Sequence, residues 1–157
     1  MLQSFYQLYR ASLSGLAPNI WLLALVTLIN RAGTMVIPFM TVYLSTELSF
    51  SAAETGYIMA FFGAGSVAGS FLGGKLTDWI GYFWTMTSSF FLGGIMFFVL
   101  MQQETFWEIS ITIFILSLIN DIFRPALFSA LAIFSLLADR TRSVSLIRLA
   151  INLGYAI

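Results

Sequence analysis

Stretches of apolar residues long enough to cross a bilayer recur along the chain, and they restrict it more than any other feature. A helix crossing the hydrocarbon core needs about 20 mostly apolar residues. Four stretches reach that length, at about 19–44, 53–72, 83–101 and 106–137. A fifth begins near 143 and runs to 157; some fifteen residues give roughly 22 Å of helix, short of the roughly 30 Å core. The expected fold is therefore all-α, a polytopic helical membrane protein with four spans and part of a fifth. The expectation for the chain itself is a fragment, or a truncated reading frame that keeps its natural start.

Composition agrees and removes most chemistry. Only 9% of residues are charged against 59% hydrophobic, whereas a soluble domain carries about a quarter charged residues. Mean hydropathy is +0.92. Seven basic and seven acidic residues cancel, so no charge excess points to nucleic acid. The chain has no cysteine and no histidine. Thiol nucleophiles, imidazole–zinc sites, iron–sulfur clusters and the Ser–His–Asp triad are thereby excluded, and no metal or cofactor is expected. An intramembrane enzyme would have to work through Asp or Lys. Asp121, the one carboxylate inside a span, has no second carboxylate to work with.

Basic residues set the topology. Arg10, Lys75, Arg140 and Arg142 all fall in connections on one side, and no Lys or Arg falls in those on the other. Glu47, Glu54, Glu104 and Glu108 mark that opposite side. The positive-inside rule then predicts a cytoplasmic amino terminus. Residues 1–18 lack the apolar core and cleavage site of a signal peptide. Leu2, Phe5, Tyr6, Tyr9, Leu13 and Leu16 recur at helical spacing and suit either an amphipathic helix on the inner face or a frayed terminus.

Two patterns stand out within the spans. In the second, Gly56, Ala60, Ala64 and Ala68 share one register, with Gly65, Gly69 and Gly73 beside it and Ser66 and Ser70 broadening the stripe. Small residues at this spacing let helix backbones approach closely, for packing or for sliding. Polar stripes run along three other spans: Thr27, Asn30, Arg31, Thr34, Pro38 and Thr41; then Ser117, Asn120, Asp121 and Arg124; then Ser145, Arg148, Asn152 and Tyr155. Intramembrane charges face protein or water. The stripes are expected either to line an aqueous substrate and proton pathway or to form an ion-pair network of Arg31, Asp121 and Arg124. Two arginines against one carboxylate leave a positive charge unbalanced, which an anionic substrate or an acid elsewhere could meet. Pro38 is expected to kink the outer half of the first span.

Between the second and third spans, Gly74-Lys75-Leu76-Thr77-Asp78-Trp79-Ile80-Gly81 resembles the signature loop of the major facilitator superfamily, G-x-L-x-D-x-x-G. It lies in the expected cytoplasmic turn after the expected number of spans. The glycines suit a tight turn, and Asp78 is placed to cap the next helix. Where that family carries basic residues after the Asp and the second Gly, this chain has Trp79, Tyr82 and Phe83. The resemblance implies a gating latch of Gly74, Asp78 and Gly81, with Arg140 or Arg142 supplying charge.

The run Asn120-Asp121-Ile122-Phe123-Arg124-Pro125-Ala126 and the segment Arg148 to Tyr155 look like bacterial drug:proton antiporter-type members, in which a fourth-span arginine is associated with proton coupling. Asn30-Arg31 looks like the first span of that group. Gly154 would open a fifth-span antiporter motif. Such transporters have twelve spans in two six-span halves of inverted three-helix repeats. The resemblance thus implies that residues 1–157 form an incomplete N-terminal half, without a second domain and lacking the C-terminal half. It further implies a multi-pass protein of the bacterial inner (plasma) membrane that exports small or amphipathic molecules against protons by alternating access. Proton-coupled oligopeptide or other solute symport is the alternative, and a non-transporting scaffold is a third.

Overall fold

A run of helices separated by short turns makes up the computed structural model, which describes residues 15–156. In order they are α1 (Pro18–Thr34), α2 (Val36–Thr46), α3 (Ala52–Leu100), α4 (Phe106–Phe134), a 3₁₀ turn (Leu137–Asp139) and α5 (Arg140–Ala156). Among the described residues, Pro18–Thr46, Ala52–Leu100 and Phe106–Phe134 are long and apolar enough to cross a membrane. The suggested amphipathic helix over Leu2 to Leu13, with Arg10, lies outside the described residues.

Each break has a local cause. The first span is interrupted between Thr34 and Val36, ahead of Pro38. A proline has no N–H to give the carbonyl four residues back and its ring crowds that carbonyl, and for Pro38 the carbonyl is Thr34's. The next turn closes through Ser49 at φ 56°, after which Ser51 caps α3. The Glu54 backbone N–H donates to Ser51 Oγ at 3.3 Å, while the Ser51 hydroxyl and N–H donate to Glu54 Oε2 at 2.7 and 2.9 Å. The two residues form a capping box, in which each side chain accepts from the other's backbone N–H at the start of α3.

The connection expected at residues 73–82 is instead almost wholly helical. α3 continues through the motif and departs from helical geometry at Gly81, with φ 82° and ψ 161°. This backbone region is open essentially to glycine alone. The chain reverses there: Ile58, early in the first limb (52–80), and Leu100, ending the second limb (82–100), belong to one core with Ile109, Ile113 and Leu116 of α4. At the other end of α4, the expected span to 137 stops at Phe134, and α5 begins at Arg140.

The chain divides into two compact units, Val36–Ala130 and Met1–Met35 with Leu131–Ile157. In the first, the core holds Ile37, Met40 and Leu44 of α2 together with the residues just named. Gly65, Gly69 and Gly73 set the first limb of α3 against α4: a Cβ there would lie 2.3 Å from the Phe114 carbonyl oxygen, 2.2 Å from that of Leu118 and 2.7 Å from that of Ile122. Lipid gives helices no hydrophobic reason to associate, so such backbone contact and interhelical hydrogen bonds must hold them. The register beside it differs: Gly56, Ala60 and Ala64 are exposed. In the second unit α1 packs on α5. Gly154 fits against the Leu28 carbonyl and the Arg31 Cβ, where an added methyl would approach to 2.8 and 2.6 Å.

Candidate functional site

Asp121 lies on α4 and is only 8% exposed, so its charge depends on what the protein offers it. The Ser66 hydroxyl, from the first limb of α3, donates to Oδ2. Arg124, one turn along α4, places Nη1 3.6 Å from Oδ1, with over half of its side chain exposed. A serine side chain is short, and it reaches across because Gly65 and Gly69 flank it on the close-packed face. Pro125 adds a further feature: it has no N–H to donate to the Asp121 carbonyl four residues back. The second limb of α3 touches the same stretch. Ser89 donates to the Ile119 carbonyl, and Gly93 leaves room for Asn120, whose Oδ1 would lie 2.9 Å from an added Cβ.

In the other unit, Arg31 projects from α1 toward α5. Its Nη1 donates to the Tyr155 hydroxyl at 3.2 Å, and the guanidinium carbon sits 5.9 Å from the centre of that ring. Its Nε is buried without a partner, as is Oδ1 of the neighbouring Asn30. The threonines of this stripe satisfy their hydroxyls on the helix itself, Thr27 on the Leu23 carbonyl at 2.7 Å and Thr34 on that of Arg31 at 2.8 Å. Past the break the stripe does not persist: Pro38 and Thr41 are exposed, because α2 buries Ile37, Met40 and Leu44 instead. Arg148 and Asn152 are exposed on α5.

The signature-loop residues take different places. Gly74 is helical with open space around its α-carbon, whereas Gly81 makes the reversal. Asp78 stands exposed in the last turn of the first limb. The expectation that it caps the following helix is therefore corrected: it sits at a helix carboxyl end, where the dipole disfavours a carboxylate. Thr85, one turn into the second limb, donates its hydroxyl back to the Gly81 carbonyl at 2.8 Å, a bond along the helix that caps none of its N–H groups. Lys75 lies 4.7 Å over the Phe71 ring. Arg142 pairs with Asp139 at 2.9 Å, and Arg140 is exposed.

Ser66 and Ser89 were not singled out as site residues from the sequence, since a serine in a glycine–alanine stripe reads as packing. Tyr155 stood in a polar stripe with nothing to name its partner. Among the described residues no group of His, Cys, Asp or Glu could hold a metal ion. Compared with known families, residues 20–157 match the family model described as Major Facilitator Superfamily. No curated protein and no solved structure matches the chain.

Proposed function

The chain belongs to the major facilitator superfamily of membrane transporters, and from that premise we propose that it serves proton-coupled export of small amphipathic molecules by alternating access. Its bilayer setting and small-molecule substrate come with the family. Proton coupling rests on Asp121, a carboxylate inside a span that is held by groups on two helices at once. When ionised it accepts from Ser66 and attracts Arg124. Once protonated it loses the attraction to Arg124 and gains an O–H donor; it can still accept from Ser66, but a neutral acid accepts more weakly than a carboxylate. Protonation thereby changes the contact between α4 and the first limb of α3, a way for a proton to bias one helix packing over another.

In this reading Asn30, Arg31 and Asn152 of one unit, and Asn120 and Arg124 of the other, are assigned to the substrate pathway. Gly74, Asp78 and Gly81 of one unit, and Arg140 and Arg142 of the other, are each assigned to gating on the cytoplasmic side of a bacterial inner membrane. The test is Asp121→Asn in the complete transporter in proteoliposomes. Flux driven by a proton gradient should be lost, while substrate exchange without a gradient persists. Unchanged gradient-driven flux would remove Asp121 from the mechanism.

A further inference from the structure

We infer that a groove between α3 and α4, just ahead of the reversal at Gly81, holds an anionic phospholipid, with an acyl chain in the groove and the phosphate on Lys75. The first argument is the shape and lining of the groove, all of it within the unit 36–130. It offers about 400 Å³ between Leu72, Lys75, Leu76 and Trp79 of the first limb and Ile122 of α4. The four α3 residues recur at the spacing of a single helix face. Gly73 closes the seam behind them, since a Cβ there would lie 2.7 Å from the Ile122 carbonyl oxygen. Apart from Lys75 the lining is apolar, which suits a hydrocarbon chain.

The second argument is charge. Lys75 is the one cation among the lining residues, and its ammonium rests 4.7 Å from the centre of the Phe71 ring. An aromatic face attracts a cation far less than an anion does. Among the described residues Lys75 forms no ion pair: the paired carboxylates are Asp121, with Arg124, and Asp139, with Arg142. Asp78 is exposed and does not line the groove. A basic side chain at a gap between membrane helices, without a protein carboxylate, fits a lipid headgroup. The third observation concerns depth. Trp79 is 85% exposed, and Phe83 and Trp84 are exposed just past the reversal. Tryptophan gathers at the headgroup level of a bilayer, so Lys75, one turn from Trp79, stands within reach of phosphates. The bilayer supplies the acyl chain and the anion in one molecule, whereas a further span of the transporter seated here would have to bring its own acid.

The inference does not depend on the export reading, and its test needs no transport. The complete transporter is placed in phosphatidylcholine nanodiscs doped with either phosphatidylglycerol or phosphatidylcholine brominated along its acyl chains. Quenching of Trp79 fluorescence is read as the difference between the unaltered protein and Trp79→Phe. Brominated phosphatidylglycerol should quench Trp79 with an apparent affinity about fivefold or more above that of brominated phosphatidylcholine, the contribution of one lysine beside anionic lipid. Lys75→Gln, a change at an exposed position, should bring the two lipids level, and Lys75→Arg should keep the preference. Equal quenching by the two lipids in the unaltered protein would overturn the inference, as would a preference that persists in Lys75→Gln. Quenching by neither lipid would overturn it too, since the groove is then covered by protein.

Discussion

Ser66 reaches Asp121 from a helix that comes within hydrogen-bonding distance only because its neighbours Gly65 and Gly69 have no side chains. The same hydroxyl on a helix held away by alanines would hydrogen-bond its own backbone, as Thr27, Thr77 and Ser110 do here. Ser66→Ala removes a hydrogen bond to a charged acceptor, worth about 1.5–3 kcal/mol. In the complete transporter it should lower gradient-driven flux about tenfold or more, toward the level of Asp121→Asn, and leave helical content intact. Flux equal to that of the unaltered protein would show that Arg124 alone holds the carboxylate. Arg124 is the weaker candidate for that role, since a 3.6 Å contact from a mostly exposed side chain is loose.

Among the helices, three glycines of α3 that look alike in sequence do three different jobs. Gly69 sits where an added Cβ would come 2.2 Å from a backbone oxygen, and a backbone cannot swing aside as a side chain can. Gly69→Val should therefore part the first limb of α3 from α4 and cost about 1–3 kcal/mol or more, read as an earlier thermal unfolding in detergent. Gly81 is held at φ 82°, and Gly81→Ala should cost about 1–3 kcal/mol through backbone strain. Gly74 is helical with open space, so Gly74→Ala should be neutral or stabilise by about 0.5–1 kcal/mol, the helix preference of Ala over Gly. If Gly74→Ala and Gly81→Ala shift unfolding equally, the reversal does not sit at Gly81.

For the whole molecule, the family and the three membrane-length helical stretches among the described residues make it a multi-pass membrane protein, and from the charge asymmetry we propose a cytoplasmic amino terminus. The absence of cysteine makes that orientation simple to check, since every introduced thiol is the sole target. Single cysteines at Lys75 and Ala138 should react with a membrane-impermeant maleimide in inside-out vesicles and stay protected in intact cells. Cysteines at Glu47 and Gln103 should do the reverse. Labelling of all four positions from one side would contradict both the span assignment and the cytoplasmic amino terminus.

The all-helical membrane class and the family resemblance were legible because each follows from local chemistry: a segment's length and apolarity decide whether it can cross lipid, and a motif carries its own spacing. The break near Pro38 and the special need at Gly81 belong to the same category, since a missing N–H and a missing Cβ act on their own stretch of backbone. Asp78 was misread because its motif resembles a turn, while the helix runs on to the residue before Gly81. Only the tertiary structure decided which small-residue register packs and which polar groups meet. Gly65, Gly69 and Gly73 and the row of Gly56, Ala60 and Ala64 are both small residues at four-residue spacing, yet one is buried on α4 and the other is exposed. Ser66 finds Asp121, and Tyr155 finds Arg31, across 55 and 124 positions of sequence. Those pairings depend on the rotation of one helix against another, which the periodicity of a single helix does not contain.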